Sequence, residues 1–186
     1  MPGMRIVSHC MTAIAVGLCF VAPVAAQSTV DFSVSGTSTI RGWTCEVSGR
    51  AEVASGAGEA VAAFGSGVEG VVLIVPVAEF SCPNEEMTGH LLEAMKPEEF
   101  AEITFELASY EVTGAGANAT GALTILDTTQ SVTIPVELSR SDEGVAIAGD
   151  VRLDMTTYGV EPPTVMLGMM RVRPQIRIQF SGVVTP

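Results

Sequence analysis

The chain has 186 residues, 9 basic and 21 acidic side chains, and a formal net charge of −12 at pH 7. The length suits one domain, and the acidic excess argues against nucleic acid or anionic headgroups as electrostatic partners. The same charge keeps soluble a chain that is 47% hydrophobic by residue type.

Residues 1–26 read as a secretory signal peptide. Arg5 supplies the positive start, an apolar run from Cys10 to Val24 is broken only by Thr12, Gly17 and Pro23, and Val24-Ala25-Ala26 precede a cut at Gln27. The run falls short of the ~20 residues that cross ~30 Å of hydrocarbon. Leu18 stands before Cys19, where a lipoprotein signal needs a small residue. The expected mature domain is 27–186, in the periplasm or outside the cell, with eight basic against 21 acidic groups, a net of −13.

Cleavage also removes His9, Cys10 and Cys19, leaving Cys45, Cys82 and His90. In an oxidising compartment the two cysteines are expected to join; two buried thiols are the alternative. A single histidine with no Cys-x-x-Cys excludes a multi-histidine or zinc-ribbon site within the chain. No metal site is expected.

Period-two patterning dominates the mature chain. Trp43, Cys45, Val47, Gly49, Ala51 and Val53 alternate with Thr44, Glu46, Ser48, Arg50 and Glu52, which describes a half-buried strand. Val68 to Val77 is almost continuously apolar and predicts a strand covered on both faces. Asn84 can cap a helix that carries Glu85 and Glu86 in its first turn and Met87, Leu91, Leu92 and Met95 along one stripe. Lys96-Pro97 ends it, and Pro97 to Phe100 predicts a further turn.

Alternation resumes around Ile103, Phe105 and Leu107, more weakly in Asn118 to Leu126, then around Val132 to Leu138, Val145 to Leu153 and Ile176 to Phe180. Thr156 to Met170 is irregular and rich in methionine. Gly and polar clusters at Ser55 to Gly58, Gly65 to Gly67, Gly114 to Gly116 and Ser141 to Gly144 punctuate the runs. About eight short strands with one or two short helices predict an all-β sandwich or barrel. An eight-stranded antiparallel barrel has room inside for one small ligand.

Catalytic constellations are missing. A serine–histidine–acid triad would rest on His90, inside the predicted helix and read as a polar-face residue. Gly65-Ser66-Gly67-Val68-Glu69-Gly70 fits a dinucleotide pattern, but a strand follows it, so it reads as a hairpin turn. Asp150 and Asp154 share a polar strand face and read as solvated surface. No catalytic residue is assigned.

What remains is apolar material beyond the needs of the strands. Trp43, Val47, Phe80, Met87, Leu91, Met95, Phe100, Phe105, Met155, Tyr158, Met166 and Met169 are expected to line a lipid cavity with an adaptable, methionine-rich mouth. Ordinary core packing is the alternative for the same residues.

Four segments resemble the YceI-like family. Phe32-Ser33-Val34 with Ser38 to Trp43 resembles its opening strand and Gly-Trp pair. Phe100 to Phe105 resembles its Phe…Pro-x-Ile-x-Phe segment, with Ala101 where proline is common. Gly121 to Ile125 and Val132 to Val136 resemble its paired central strands, and Met155 to Val160 with Pro162-Pro163 resembles a cysteine-bearing branch.

The likeness covers 29–182 and departs at Arg173-Pro174 and in the glycine- and alanine-rich stretch Ser55 to Gly67. It implies an exported, lipocalin-like antiparallel barrel that binds a polyisoprenoid or similar long lipid. No cofactor is implied beyond a bound isoprenoid lipid or quinone, and no nucleic acid or stable membrane insertion. The alternatives are a secreted enzyme on a barrel scaffold, a ligand-free structural or stress module, or an outer-membrane barrel. The last lacks the aromatics for two girdles, with one Trp and two Tyr.

N-terminal sequencing of exported protein is expected to start near Gln27. Recovery of a membrane-bound product that retains Met1 to Ala26 contradicts the signal reading.

Overall fold

The computed structural model describes residues 27–114, 116–165 and 169–185. Nine strands follow in chain order: β1 Ser28–Ser38, β2 Gly42–Val61, β3 Ser66–Pro76, β4 Glu102–Val112, β5 Gly116–Ile125, β6 Thr128–Ser141, β7 Gly144–Asp154, β8 Thr164–Val165 and β9 Met170–Val184. One helix, α1 Glu85–Met95, lies between β3 and β4, and 3-10 turns occupy Val77–Glu79 and Met155–Tyr158. All neighbours pair antiparallel. β1 pairs with both β2 and β9, so eight strands close into a barrel and β8 adds only a short flap on β9.

Alternation decides the interior. Phe32 lies opposite Val47 on β2 and opposite Phe180 on β9, so three apolar side chains meet at the closing seam. The Phe32 and Phe180 rings sit 5.9 Å apart between centroids, within the range of favourable aromatic pairs. Gly149 is the cross-strand partner of Phe180, and a side chain there would collide with that ring.

Two expectations need correction. Val68 to Val77 is not covered on both faces: Val68, Val71, Leu73 and Val75 face inward, while Val72 is 37% exposed. Its lateral neighbours are Glu52 and Glu106, and those of Ile74 are Arg50 and Thr104. Long polar stems beside them shield these residues without a second layer. Ser55 to Gly58 is not punctuation either. It continues β2 to Val61, with register shifts at Ala54/Ser55 and at Gly56/Val61.

Those shifts bend the β2–β3 hairpin, and small residues tolerate the close approach. The Tyr110 hydroxyl donates to Glu59 O at 2.6 Å and accepts from Val68 N at 3.1 Å. Arg140 Nη2 donates to Ala62 O across the barrel at 3.1 Å. The hairpin tip thus forms a floor, with Val61 buried and Phe64 against the core. The stretch that departs from the family pattern is this floor.

The opposite end carries α1, the β1–β2 loop and the β7–β9 connection. Asn84 caps α1 by accepting from Met87 N at 2.9 Å, as the sequence predicts, and Lys96 ends it in a left-handed conformation. Thr39 N donates to Arg171 O at 3.0 Å, and the Thr39 hydroxyl donates to Met169 O at 3.1 Å. Pro174 lies where β9 skips residues against β1, between the Ser38↔Val172 and Gly36↔Ile176 pairs. A strand proline is tolerated at such an irregularity.

Cys45 and Cys82 form a disulfide that ties the inner face of β2 to the chain just before α1. Backbone bonds between Glu46 and Ser81 run beside it. The cross-link spans 37 residues, a loop for which chain entropy predicts about 4 kcal/mol. Replacing both cysteines with alanine is expected to lower unfolding free energy by about 2–4 kcal/mol, measured by denaturant melts of the oxidised and variant proteins.

Candidate functional site

The barrel interior is not filled. A wholly aliphatic and aromatic chamber of about 210 Å³ lies toward the floor, and a second of about 540 Å³ lies under α1. Val34, Phe80, Ile103, Ile125 and Ile178 border both, so the two are adjoining parts of one interior. Leu73, Ile103 and Trp43 likewise join the two hydrophobic clusters of the barrel.

Inward strand positions build the lower chamber, among them Val47, Leu73, Phe105, Leu123, Ile134 and Phe180. Tyr110 reaches it because a register shift between Leu107 and Ser109 turns an even-numbered residue inward. Its hydroxyl is engaged by Glu59 O and Val68 N, and the side chain presents carbon to the space. Polar strand residues such as Glu46, Ser48 and Glu106 face outward and are exposed.

The upper chamber mixes apolar walls with a polar rim. Met87, Leu91, Ala94 and Met95 of α1 face it, with Trp43, Cys45, Met155, Met170 and Val172 opposite or beside them. Ser38, Arg41, Asn84, Glu86 and His90 supply the polar atoms. His90 is therefore not simply a polar-face residue. It borders the chamber while its ring nitrogens lie 3.8 Å from Glu86 and 3.9 Å from Glu93.

The helix buries no residue fully, consistent with an element lying over a cavity rather than on a packed core. Among the described residues no cluster of His, Cys, Asp and Glu could hold a metal ion.

The connection beside the mouth is held by Asp154. Its carboxylate accepts from the backbone and hydroxyl of Thr156, at 2.9 and 2.5 Å, and from Gln175 at 3.2 Å. These bonds, led by the Thr156 hydroxyl, hold its pKa below the usual carboxylate value. Asp150 is held low as well, chiefly by its hydrogen bond from Arg177. Both carboxylates serve strand and turn structure on the outer surface.

Of the expected cavity residues, Val47 and Phe105 line the lower chamber, Phe80 borders both, and Trp43, Met87, Leu91, Met95 and Met155 line the upper one. Phe100 is half-buried and borders neither. Tyr158 is only 2% exposed and packs in the core with Phe105, Ile125 and Val160. Burial raises its phenol pKa. Met169 is 70% exposed beside the mouth, not inside it. Met166 lies outside the described residues. Sequence reasoning passed over Arg41 and Ile40, whose loop carries no periodic signal, and many inward Val and Ile residues that read as plain strand.

Trp43 Nε1 is buried without a hydrogen-bond partner among the described residues. Such an orphaned donor costs roughly 1–3 kcal/mol. Gly36, the β1 partner of Trp43, makes room for the indole: a Cβ there would stand 2.6 Å from Trp43 Cζ2.

The sequence matches the YceI-like domain family over residues 22–184. The chain belongs to the YceI-like family. The fold is similar to BcnA of Burkholderia cenocepacia, with a TM-score of 0.61 at 18% identity, covering 83% of this chain and 96% of that one. A polyisoprenoid binding domain from Saccharophagus degradans, implicated in plant cell wall breakdown, gives 0.63 at 9% identity over 86% and 97%. The Campylobacter jejuni YceI protein gives 0.54 at 14% identity over 70% and 78%. At such identities the likeness carries the fold alone. No curated protein matches in sequence.

Phe105→Asp places an unpaired charge in an apolar interior and is expected to cost at least about 3 kcal/mol or to unfold the barrel. Glu106→Gln, one residue on and facing solvent, is expected to stay within about 0.5 kcal/mol. Paired denaturant melts measure both.

Proposed function

We propose that the protein is exported and holds a long apolar lipid in its barrel, for transport, storage or protection, without catalysing a reaction. The observation that carries this reading is the mainly apolar interior, made of two adjoining chambers between a floor closed by the β2–β3 hairpin and the helix α1. A chain entering it exchanges water for carbon on every side, worth about 0.8 kcal/mol per buried methylene. Polyisoprenoids, isoprenoid quinones and fatty-acid-like chains share the required length and apolarity.

Family membership supports the same reading, as does the fold's likeness to a domain described as polyisoprenoid-binding. The inverse arrangement, an outer-membrane barrel, would need an apolar outer face; here that face carries Glu46, Ser48, Arg50 and Glu106. The residues 1–26 direct export in this proposal, and the mature protein works in the periplasm or outside the cell.

Native mass spectrometry of purified, exported protein, followed by organic extraction, is expected to find a long-chain lipid in a one-to-one complex. Titration with an isoprenoid alcohol or quinone is expected to change the emission of Trp43, the one tryptophan of the chain. No co-purifying lipid together with an unchanged spectrum overturns the proposal.

A further inference from the structure

We propose that the barrel docks by one side of its mouth on a lipid bilayer that carries anionic headgroups, with Ile40 and Met169 entering the acyl boundary and Arg41, Arg171 and Arg173 meeting the phosphates. The inference goes beyond lipid binding inside the barrel and is tested apart from it.

Net charge speaks against an anionic partner, but the charges are placed unevenly, and a local field steers contact. Residues 32–45 and 162–186 contain no acidic side chain, in a chain that has 21. The pairing of β1 with β9 sets these two stretches side by side. Of the eight basic side chains after residue 26, Arg41, Arg171, Arg173 and Arg177 lie within them, and Arg152 stands opposite Arg177 on β7. Asp150 engages Arg177. Arg41, Arg152, Arg171 and Arg173 are exposed and form no salt bridge among the described residues.

Exposed apolar side chains share the place. Ile40 is 65% and Met169 70% exposed. The β1–β2 loop is too well tied to fold Ile40 away. Ser38 N and the Ser38 hydroxyl donate to Arg41 O at 2.8 and 2.9 Å, and Ser38 Oγ accepts from Arg41 N at 3.1 Å. The Thr39 hydroxyl accepts from Arg171 N at 3.3 Å and donates to Met169 O at 3.1 Å. The loop and the start of β9 therefore present one surface. Ile40 and Arg41 also border the upper chamber, so that surface is continuous with its rim.

A bilayer answers both halves of the patch. A soluble anion would leave Ile40 and Met169 in water, and a purely apolar partner would leave the arginines unused. At a membrane interface, apolar side chains reach about 5–10 Å into the headgroup boundary, while arginine pairs with phosphate oxygens through two N–H groups. Glu85, Glu86 and Glu93 of α1 are exposed and repelled by the same headgroups, so the barrel stands tilted, with the β1–β2 loop lowest. On the lipid-binding reading, this contact lets a chain pass between bilayer and chamber without crossing bulk water.

The test is vesicle flotation of the purified protein comprising residues 27–186, with phosphatidylcholine vesicles and with an equal mixture of phosphatidylcholine and phosphatidylglycerol. The wild type is expected to bind the mixed vesicles at least about 25-fold more tightly, and to lose most of that preference at about 1 M salt, where the screening length falls to about 3 Å. Arg171→Gln and Arg173→Gln are each expected to weaken binding to mixed vesicles roughly fivefold. Ile40→Ser combined with Met169→Ser is expected to weaken it about tenfold at either salt concentration. Arg50→Gln, on the wall and paired with Glu102, is expected to stay within about twofold.

Equal binding to both kinds of vesicle, binding to neither, or arginine variants that bind like the wild type overturns the inference and leaves lipid uptake by the barrel standing. A dimer in sedimentation that Ile40→Ser with Met169→Ser dissolves, without vesicle binding, assigns the patch to a second copy and also overturns it. Salt-sensitive docking by a protein that takes up no lipid supports this inference and overturns the proposed function alone.

Discussion

The hydrogen-bonded ladder between β1 and β9 is the contact on which the molecule depends. Each strand alternates apolar and polar residues, and alternation alone only sorts side chains onto two faces. Closing the sheet makes one face an interior. Once Phe32 pairs with both Val47 and Phe180, the inward sets of β1, β2 and β9 meet in one space, and no long edge is left to recruit another chain.

Closure leaves two ends, and they are finished differently. At the floor the chain bends its own hairpin inward, where Gly and Ala allow close approach and the Tyr110 and Arg140 side chains satisfy backbone groups that the ladders leave free. At the mouth the cover is a helix, joined to the wall by the Cys45–Cys82 disulfide and a short backbone bridge. A helix with no fully buried residue has little packing energy of its own. The covalent tie therefore matters most where the cover is least packed.

The interior has a direction as a result. Apolar atoms line the floor half, and polar atoms appear only toward the mouth. The proposed lipid would match that gradient in a single orientation, with its tail toward the floor and any polar end toward the mouth.

Much of this was legible in the residues. Period-two runs pointed to about eight strands and to the half-buried faces of most of them, Asn84 and Lys96-Pro97 bounded the helix, and the arithmetic of two remaining cysteines named the disulfide that the structure contains. Segments that resemble the family, such as Ser38 to Trp43, pointed to the closed barrel.

What the sequence could not decide depends on distance in space. Alternation is the same for an apolar core and an apolar exterior, and only closure put Val47 and Phe105 inside. The bend that turns Ser55 to Gly67 into a floor arises from register shifts, which leave no periodic signature. Tyr158 and Met169 looked alike as cavity candidates; tertiary packing buried one in the wall and left the other outside the mouth. Trp43 was legible as an inward residue, but its unpartnered N–H was not. Whether a donor is satisfied depends on every acceptor that the fold brings within 3.5 Å of it, and the linear order of residues does not contain that distance.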